Sequence, residues 1–169
     1  MRVPVRRVAV LALALALTLG ALFGAQHWLF LTQTKAPLQT EIRRLPGVTA
    51  VTLNLTASSP SVTVRLGNVS NLQSTYQTIS QKIQSLAPGA TLKVQSTSDA
   101  ALANAAQVLS FAIEQGIATG QFVEMRKDVL SDAAKLHITA KVYVDSKYVY
   151  VALYDHSRSA YFVYSRGAS

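Results

Sequence analysis

The chain has 169 residues, with 16 Lys and Arg against 8 Asp and Glu and a formal charge of +8. It contains no cysteine, which excludes disulfides, zinc–thiolate sites, iron–sulfur clusters and a cysteine nucleophile. The basic residues are scattered without a run of five or more like charges. A nucleic-acid-binding stripe is therefore not predicted, and we expect no nucleic-acid partner.

The N-terminal end has the pattern of a membrane-targeting segment. Arg2, Arg6 and Arg7 precede residues 8–31, a run of 24 residues without charge. At about 1.5 Å per residue such a helix reaches about 36 Å, enough to cross a hydrocarbon core about 30 Å thick. The run exceeds the apolar region of a cleaved signal, about 7–15 residues. The sequence thus favours a retained signal anchor, with a removable signal peptide as the alternative.

This pattern predicts a single-pass protein of the cell membrane. Residues 1–7 would be a basic cytoplasmic tail, residues 8–31 the transmembrane anchor in the lipid bilayer, and residues 32–36 a short linker. Large C-terminal domains are translocated largely regardless of charge. The rest of the chain is therefore predicted to be extracytoplasmic.

Residues 37–96 alternate between helical and strand patterns. Apolar residues recur at helical spacing after Pro37 and again after Ser70, where Gln73 completes a capping box. Alternating apolar and polar residues predict three strands. These strands cover residues 48–55, 62–66 and 92–94. The segment is predicted to be an α-β-β-α-β subdomain.

Residues 97–169 are built differently. Thr97 or Ser98 is predicted to cap an alanine-rich helix that ends near Ile117, and a second amphipathic helix follows. Three strands come next, at residues 138–145, 148–155 and 160–164. The predicted fold class is therefore α+β: an N-terminal transmembrane helix, then the α-β-β-α-β unit, then an α-α-β-β-β unit with an antiparallel sheet.

The first two of these three strands form a hairpin whose register follows from its turn. A tight turn at Asp145-Ser146-Lys147-Tyr148 places Tyr143 opposite Tyr150, Thr139 opposite Tyr154, and Val142 opposite Val151. A slip of one residue would mix aliphatic and aromatic side chains on each face. The predicted aliphatic face contains Ile138, Ala140, Val142, Val144, Val149, Val151, Leu153 and Val163, and the predicted aromatic face contains Tyr143, Tyr148, Tyr150, Tyr154, Phe162 and Tyr164.

The aromatic face has two interpretations. It could stack on bases, sugars or a partner's side chains, and nearby basic residues would then suit an anionic partner. It could equally be covered by one of the two preceding helices, since tyrosine also favours cross-strand packing. The candidate interaction residues are Tyr143, Tyr148, Tyr150, Tyr154, Tyr164, Lys141 and Arg158.

The sequence contains no recognisable constellation for catalysis. His27, His137 and His156 lack the spacing of metal ligands, and neither a paired carboxylate motif nor a phosphate-binding loop is present. We therefore predict no catalytic residue, no metal ligand and no cofactor. An enzyme is not expected.

Residues 37–96 resemble a known family. Leu45-Pro46-Gly47-Val48 precedes the first predicted strand, and Ser61-Val62-Thr63-Val64 lies in the second. In this element order they are similar to the ring-building motif domains of bacterial secretion and sporulation envelope proteins. The resemblance implies oligomerisation through sheet and helix edges, with no catalytic residue to carry over. A lipidated cysteine is missing, and residues 97–169 have no counterpart in that motif.

Together these features predict a membrane-anchored, extracytoplasmic component of a bacterial envelope assembly. Its role would be structural or in protein interaction, and the resemblance implies a sporulation or secretion setting. The expected partners are the bilayer, through residues 8–31, and another protein or a second copy of the chain. The alternative function is a binding module for an anionic envelope polymer, acting through the tyrosine-rich sheet face.

Overall fold

The structure is a computed structural model that describes residue 18 and residues 36–54, 59–95 and 99–167. In these ranges it is an α+β fold of four helices and two three-stranded sheets. The elements in chain order are α1 (Ala36–Arg43), β1 (Val48–Asn54), β2 (Ser61–Leu66), α2 (Leu72–Leu86), β3 (Thr91–Gln95), α3 (Ala100–Thr119), α4 (Phe122–Lys135), β4 (Thr139–Val144), β5 (Tyr148–Asp155) and β6 (Arg158–Ser165).

The first sheet has the strand order β1-β2-β3, in which β1 is antiparallel and β3 parallel to β2. Register places Val51 beside Val64, and Val64 beside Val94, so one face of this sheet is apolar. Helices α1 and α2 share a core with that face, and their buried residues in it are Leu38, Ile42, Leu72, Tyr76, Ile79 and Ile83. The predicted α-β-β-α-β order of elements is confirmed.

The helix caps differ from the predicted ones by one or two residues. Asn71, rather than Ser70, caps α2, because its side chain accepts a hydrogen bond from the Ser74 N–H at 3.1 Å. Asp99 caps α3 by accepting from the Ala101 and Leu102 N–H groups. The predicted caps Thr97 and Ser98 lie outside the described residues.

The second sheet has the antiparallel order β4-β5-β6. The predicted hairpin register is confirmed: Tyr143 pairs with Tyr150, Thr139 with Tyr154, and Val142 with Val151. The aliphatic face packs on α3 and α4 in a core that includes Leu109, Ile113, Val129, Val151 and Leu153.

The predicted faces of β6 are wrong. Phe162 pairs with Val151 and Tyr164 pairs with Val149, so both aromatic side chains lie on the face that packs on α3 and α4. Tyr161 and Val163 lie instead on the opposite face, which carries Tyr150 and which we call the tyrosine side. Residues directly opposite each other in a ladder share a face. Because Tyr-Phe-Val-Tyr does not alternate cleanly, the pairing with β5 decides the orientation of β6.

The membrane-spanning part of the predicted fold is corrected. None of the helices in the described ranges combines the length and the apolar character that a bilayer crossing requires. The 20-residue α3 is long enough, but it carries Asn104, Gln107 and Glu114 and packs its apolar side on the second sheet. This finding also corrects four related predictions: a transmembrane helix, a signal anchor, a single-pass topology and an extracytoplasmic domain at the cell membrane. Residues 8–31, on which they depended, lie outside the described residues except for Thr18.

The two halves share one core rather than meeting at a polar boundary. Tyr150, Ala152 and Tyr161 of the second sheet belong to the same buried cluster as the apolar residues of α1, α2 and the first sheet. The second sheet is thus covered on both faces, by α3 and α4 on one side and by the first half on the other.

Candidate functional site

The tyrosine side of the second sheet forms the contact between the two halves. We call its tyrosines the tyrosine seam: Tyr143, Tyr148, Tyr150, Tyr154 and Tyr161. Tyr150 and Tyr161 are only 1% and 2% exposed, and the other three are half-buried. The seam contacts α2 and the connection between β2 and α2.

Seam hydroxyls satisfy the backbone of that connection. The Tyr161 hydroxyl donates to the Gly67 carbonyl at 2.7 Å and accepts from the Val69 N–H at 3.0 Å. The Tyr154 hydroxyl donates to the Val69 carbonyl at 2.7 Å. Burial, with Tyr161 and Tyr143 nearby, raises the pKa of Tyr154 to about 12. The hydroxyl of Tyr154 is therefore a neutral donor at ordinary pH, and its role here is to hold the two halves together.

Three aromatic rings meet at the other end of the seam. The Tyr76 ring of α2 lies 5.4 Å from the rings of both Tyr148 and Tyr150, and those two rings are 6.1 Å apart. Their tilted and edge-to-face arrangements are the favourable ones for aromatic pairs. Burial raises the pKa of Tyr76 and of Tyr150, so both rings remain uncharged.

Asp145 fixes the hairpin turn and joins it to α2. Its Oδ1 accepts the N–H groups of Lys147 and Tyr148, both at 2.8 Å. Its Oδ2 accepts the Tyr150 hydroxyl at 2.7 Å and the Gln77 amide at 3.0 Å. Burial raises the pKa of Asp145, but these hydrogen bonds outweigh it and lower the pKa to about 2. At ordinary pH the carboxylate is thus ionised and acts as a hydrogen-bond acceptor rather than a proton donor.

A cleft of about 420 Å³ opens beside this turn, between α2 and the β4–β5 hairpin. Its lining residues are Tyr76, Gln77, Ser80, Gln81, Gln84, Asp145, Ser146, Lys147, Tyr148 and Tyr150. The walls offer amides, hydroxyls and the Lys147 ammonium, and Tyr148 supplies a half-buried ring. Such a surface can hydrogen-bond a polar ligand, and its two charged side chains, Lys147 and the ionised Asp145, have opposite signs.

The structure brings most, but not all, of the predicted interaction residues together. Lys141 lies at the seam, with its Nζ 5.4 Å from the centroid of the Tyr154 ring and 3.3 Å from the Ser70 carbonyl oxygen. Tyr164 is on the opposite face of the sheet. Tyr161, which sequence reasoning did not select, takes a central position in the seam. No local sequence signal identifies it, because only the pairing of β6 with β5 decides which face Tyr161 lies on.

Arg158 belongs to a separate ion-pair network at the start of α3. Its guanidinium contacts Asp99 at 2.6 Å and Asp155 at 2.5 Å, and Asp155 contacts His156 at 2.6 Å. The hydrogen bond from the Leu102 N–H, together with Arg158, outweighs burial and lowers the pKa of Asp99. Arg158 therefore ties the β5–β6 turn to the helix cap.

The outer surface of the α3–α4 hairpin exposes large apolar side chains. On α3, Val108 is 57% and Phe111 is 79% exposed. We call these two residues the α3 patch. On α4, a shallow pocket is lined by Phe122, Val123, Arg126, Lys127 and Leu130, which we call the α4 patch. Within it, Val123 is 88% exposed.

Comparison with known proteins finds no similar protein family, no similar curated protein and no similar solved structure. The resemblance of residues 37–96 to ring-building motif domains therefore stays a prediction. In the part of the chain that the structure describes, no three His, Asp or Glu side chains are grouped as metal ligands.

Proposed function

We propose that the protein is a non-catalytic interaction module that binds a protein partner through the outer surface of its α3–α4 hairpin. The observation that supports this proposal is the exposure of Phe111 and Val123, at 79% and 88%. Burying one such side chain stabilises a complex by about 1.5–3 kcal/mol relative to leaving it in water. Exposed apolar clusters rimmed by polar residues are typical of protein-interaction surfaces.

The non-catalytic part of the proposal is supported by three acidic residues whose carboxylates make structural contacts. Asp145 accepts four hydrogen bonds, which close the hairpin turn and join it to α2. Asp99 caps α3, and both Asp99 and Asp155 hold Arg158. General acid–base catalysis instead requires a group poised to exchange protons near the working pH. The envelope setting expected from the sequence depended on the membrane anchor, so it is not part of this proposal.

A second candidate function is the binding of an anionic polymer. The seam itself is largely filled by the first half of the chain, so the tyrosine face is not an open platform. The feature that favours this candidate is the cleft at its edge, whose lining includes both Lys147 and the half-buried Tyr148. A polymer would contact this cleft rather than the sheet face.

Site-specific photocrosslinking of the full chain in its native cells tests the proposed function. A photoreactive residue placed at position 111 or 123 is expected to give a discrete crosslinked product. The matched control is position 52, because Thr52 is exposed on β1 of the first sheet. Absence of a product from both hairpin positions, or the same product from position 52, would contradict the proposal.

A further inference from the structure

The two patches lie on opposite sides of the helical hairpin. The helices touch where Gly116 of α3 meets Met125 of α4: a Cβ at Gly116 would lie 2.4 Å from the Met125 Cβ. At about 100° per residue, Phe111 points about 140° away from Gly116 around α3. On α4, Val123 points about 160° away from Met125 by the same geometry. One molecule therefore presents two apolar patches that face away from each other.

The charges beside the two patches have opposite signs. Glu114 is the charged residue of α3, and it lies one helical turn after Phe111, where the two side chains are surface neighbours. The α4 patch contains the basic residues Arg126 and Lys127. The charged residues that line the α4 patch are thus basic, whereas the exposed Glu124 and Asp128 of the same helix are not part of its lining.

These charges discriminate between the possible pairings of two copies. A symmetric contact of the α4 patch with itself would bring Arg126 and Lys127 of both copies together, which is unfavourable. A symmetric contact of the α3 patch would oppose two Glu114 carboxylates. A head-to-tail contact instead places Glu114 of one copy near Arg126 and Lys127 of the other, and it buries Phe111 against Val123.

We propose that the partner of this surface is a second copy of the same chain, joined head to tail, with the α3 patch of one copy on the α4 patch of the next. This inference rests on the proposed function of the hairpin surface. A head-to-tail contact leaves one free patch at each end, so it propagates into rings or filaments. The apolar contact is small and has to offset the freedom that two molecules lose on association, so assembly is expected to be weak and to increase with protein concentration.

Complementation between two blocked variants tests this geometry. Phe111→Asp disrupts the α3 patch, and Val123→Asp disrupts the α4 patch. Because both side chains are highly exposed, both variants should fold, and circular dichroism would check this. In sedimentation velocity, full-length wild-type protein is expected to gain mass with concentration, whereas each variant alone stays monomeric. An equimolar mixture of the two variants should form a one-to-one dimer and no larger assembly. The reason is that the intact α4 patch of Phe111→Asp can bind the intact α3 patch of Val123→Asp, and no other pair of intact patches remains. Thr78→Asp, at an exposed site on α2 outside the cleft, is the control for added charge and should assemble like wild type.

Three outcomes would overturn the inference. These are a wild-type protein that stays monomeric, a dimer formed by either variant alone, and a mixture without a heterodimer. Failure of the inference differs from failure of the proposed function. If the wild type is monomeric but positions 111 and 123 still crosslink to another protein in cells, the hairpin remains an interaction surface with a different partner.

Discussion

Asp145 shows how one side chain can combine a local and a long-range role. As the first residue of the β4–β5 turn it accepts two backbone N–H groups, a role its position in Asp-Ser-Lys-Tyr already predicts. Its other oxygen accepts from Tyr150 and from Gln77 of α2, 68 residues earlier in the chain. The turn and the contact between the two halves therefore depend on the same ionised carboxylate.

This arrangement predicts an acid-sensitive contribution to stability. The pKa of Asp145 falls from 3.8 to about 2 on folding, so the unfolded chain binds the proton more tightly. The contribution is present above about pH 4 and is lost as the pH falls towards 2. Allowing for solvent screening, it is about 1 kcal/mol. Asp145→Asn should remove this pH-dependent contribution. Urea unfolding between pH 2 and pH 6 would show it as a free energy of unfolding that changes less with pH in the variant than in wild type.

Tyr150→Phe is the graded control for this prediction. It keeps the ring in the three-tyrosine cluster but deletes one donor to Oδ2 of Asp145. The pKa of Asp145 should then rise part of the way, and the pH dependence should lie between those of wild type and Asp145→Asn. Identical pH slopes in wild type and Asp145→Asn would show that the carboxylate does not stabilise the fold through its charge.

At the scale of elements, the close approach of α3 and α4 depends on Gly116. An added Cβ would lie 2.4 Å from the Met125 Cβ and 2.6 Å from its Cγ, closer than van der Waals contact allows. Glycine normally weakens a helix by about 1 kcal/mol relative to alanine. Overpacking, however, costs about 1–3 kcal/mol, and a Cβ cannot rotate away. Gly116→Ala should therefore lower the free energy of unfolding by up to about 2 kcal/mol, as urea unfolding would show.

The matched variant for this prediction is Gln107→Ala, on the exposed side of the same helix. It improves helix propensity without a contact to α4, so its stability should be unchanged or slightly higher. A Gly116→Ala protein that is more stable than wild type would mean that the helices separate at no cost, and the proposed importance of the close contact would be wrong.

The elements themselves were largely predictable because their signals are local. Alternating apolar and polar residues locate the strands, and capping residues help to locate the helices. The turn at Asp145 fixes the register between β4 and β5. The orientation of β6 was not predictable, since Tyr161 and Phe162 are adjacent aromatic residues and only the ladder with β5 assigns their faces. Nor could the sequence show what covers the tyrosines. Both faces of the second sheet are apolar, and the choice of α2 over α3 and α4 is made by long-range packing.

At the scale of the whole molecule, the tyrosine seam makes the two halves one cooperative unit. Tyr161 is central, because its hydroxyl bonds the Gly67 carbonyl and the buried Val69 N–H across 94 and 92 residues of chain. A buried donor left without its partner costs about 1–3 kcal/mol. Tyr161→Phe should therefore reduce global stability by about that amount although the mutation lies in only one of the two sheets.

Native-state hydrogen exchange distinguishes cooperative from independent unfolding of the halves. In Tyr161→Phe, the slowest amides of β2 and of β5 should lose protection by the same free energy, since both exchange through the same global opening. Tyr143→Phe is the control, because the Tyr143 hydroxyl makes no hydrogen bond to any residue within the described ranges, and its protection should match wild type. Loss of protection confined to β5 would show that the second half opens alone. The seam would then be a contact between two separate folding units, and the head-to-tail assembly of the hairpin would need no rigid connection to the first sheet.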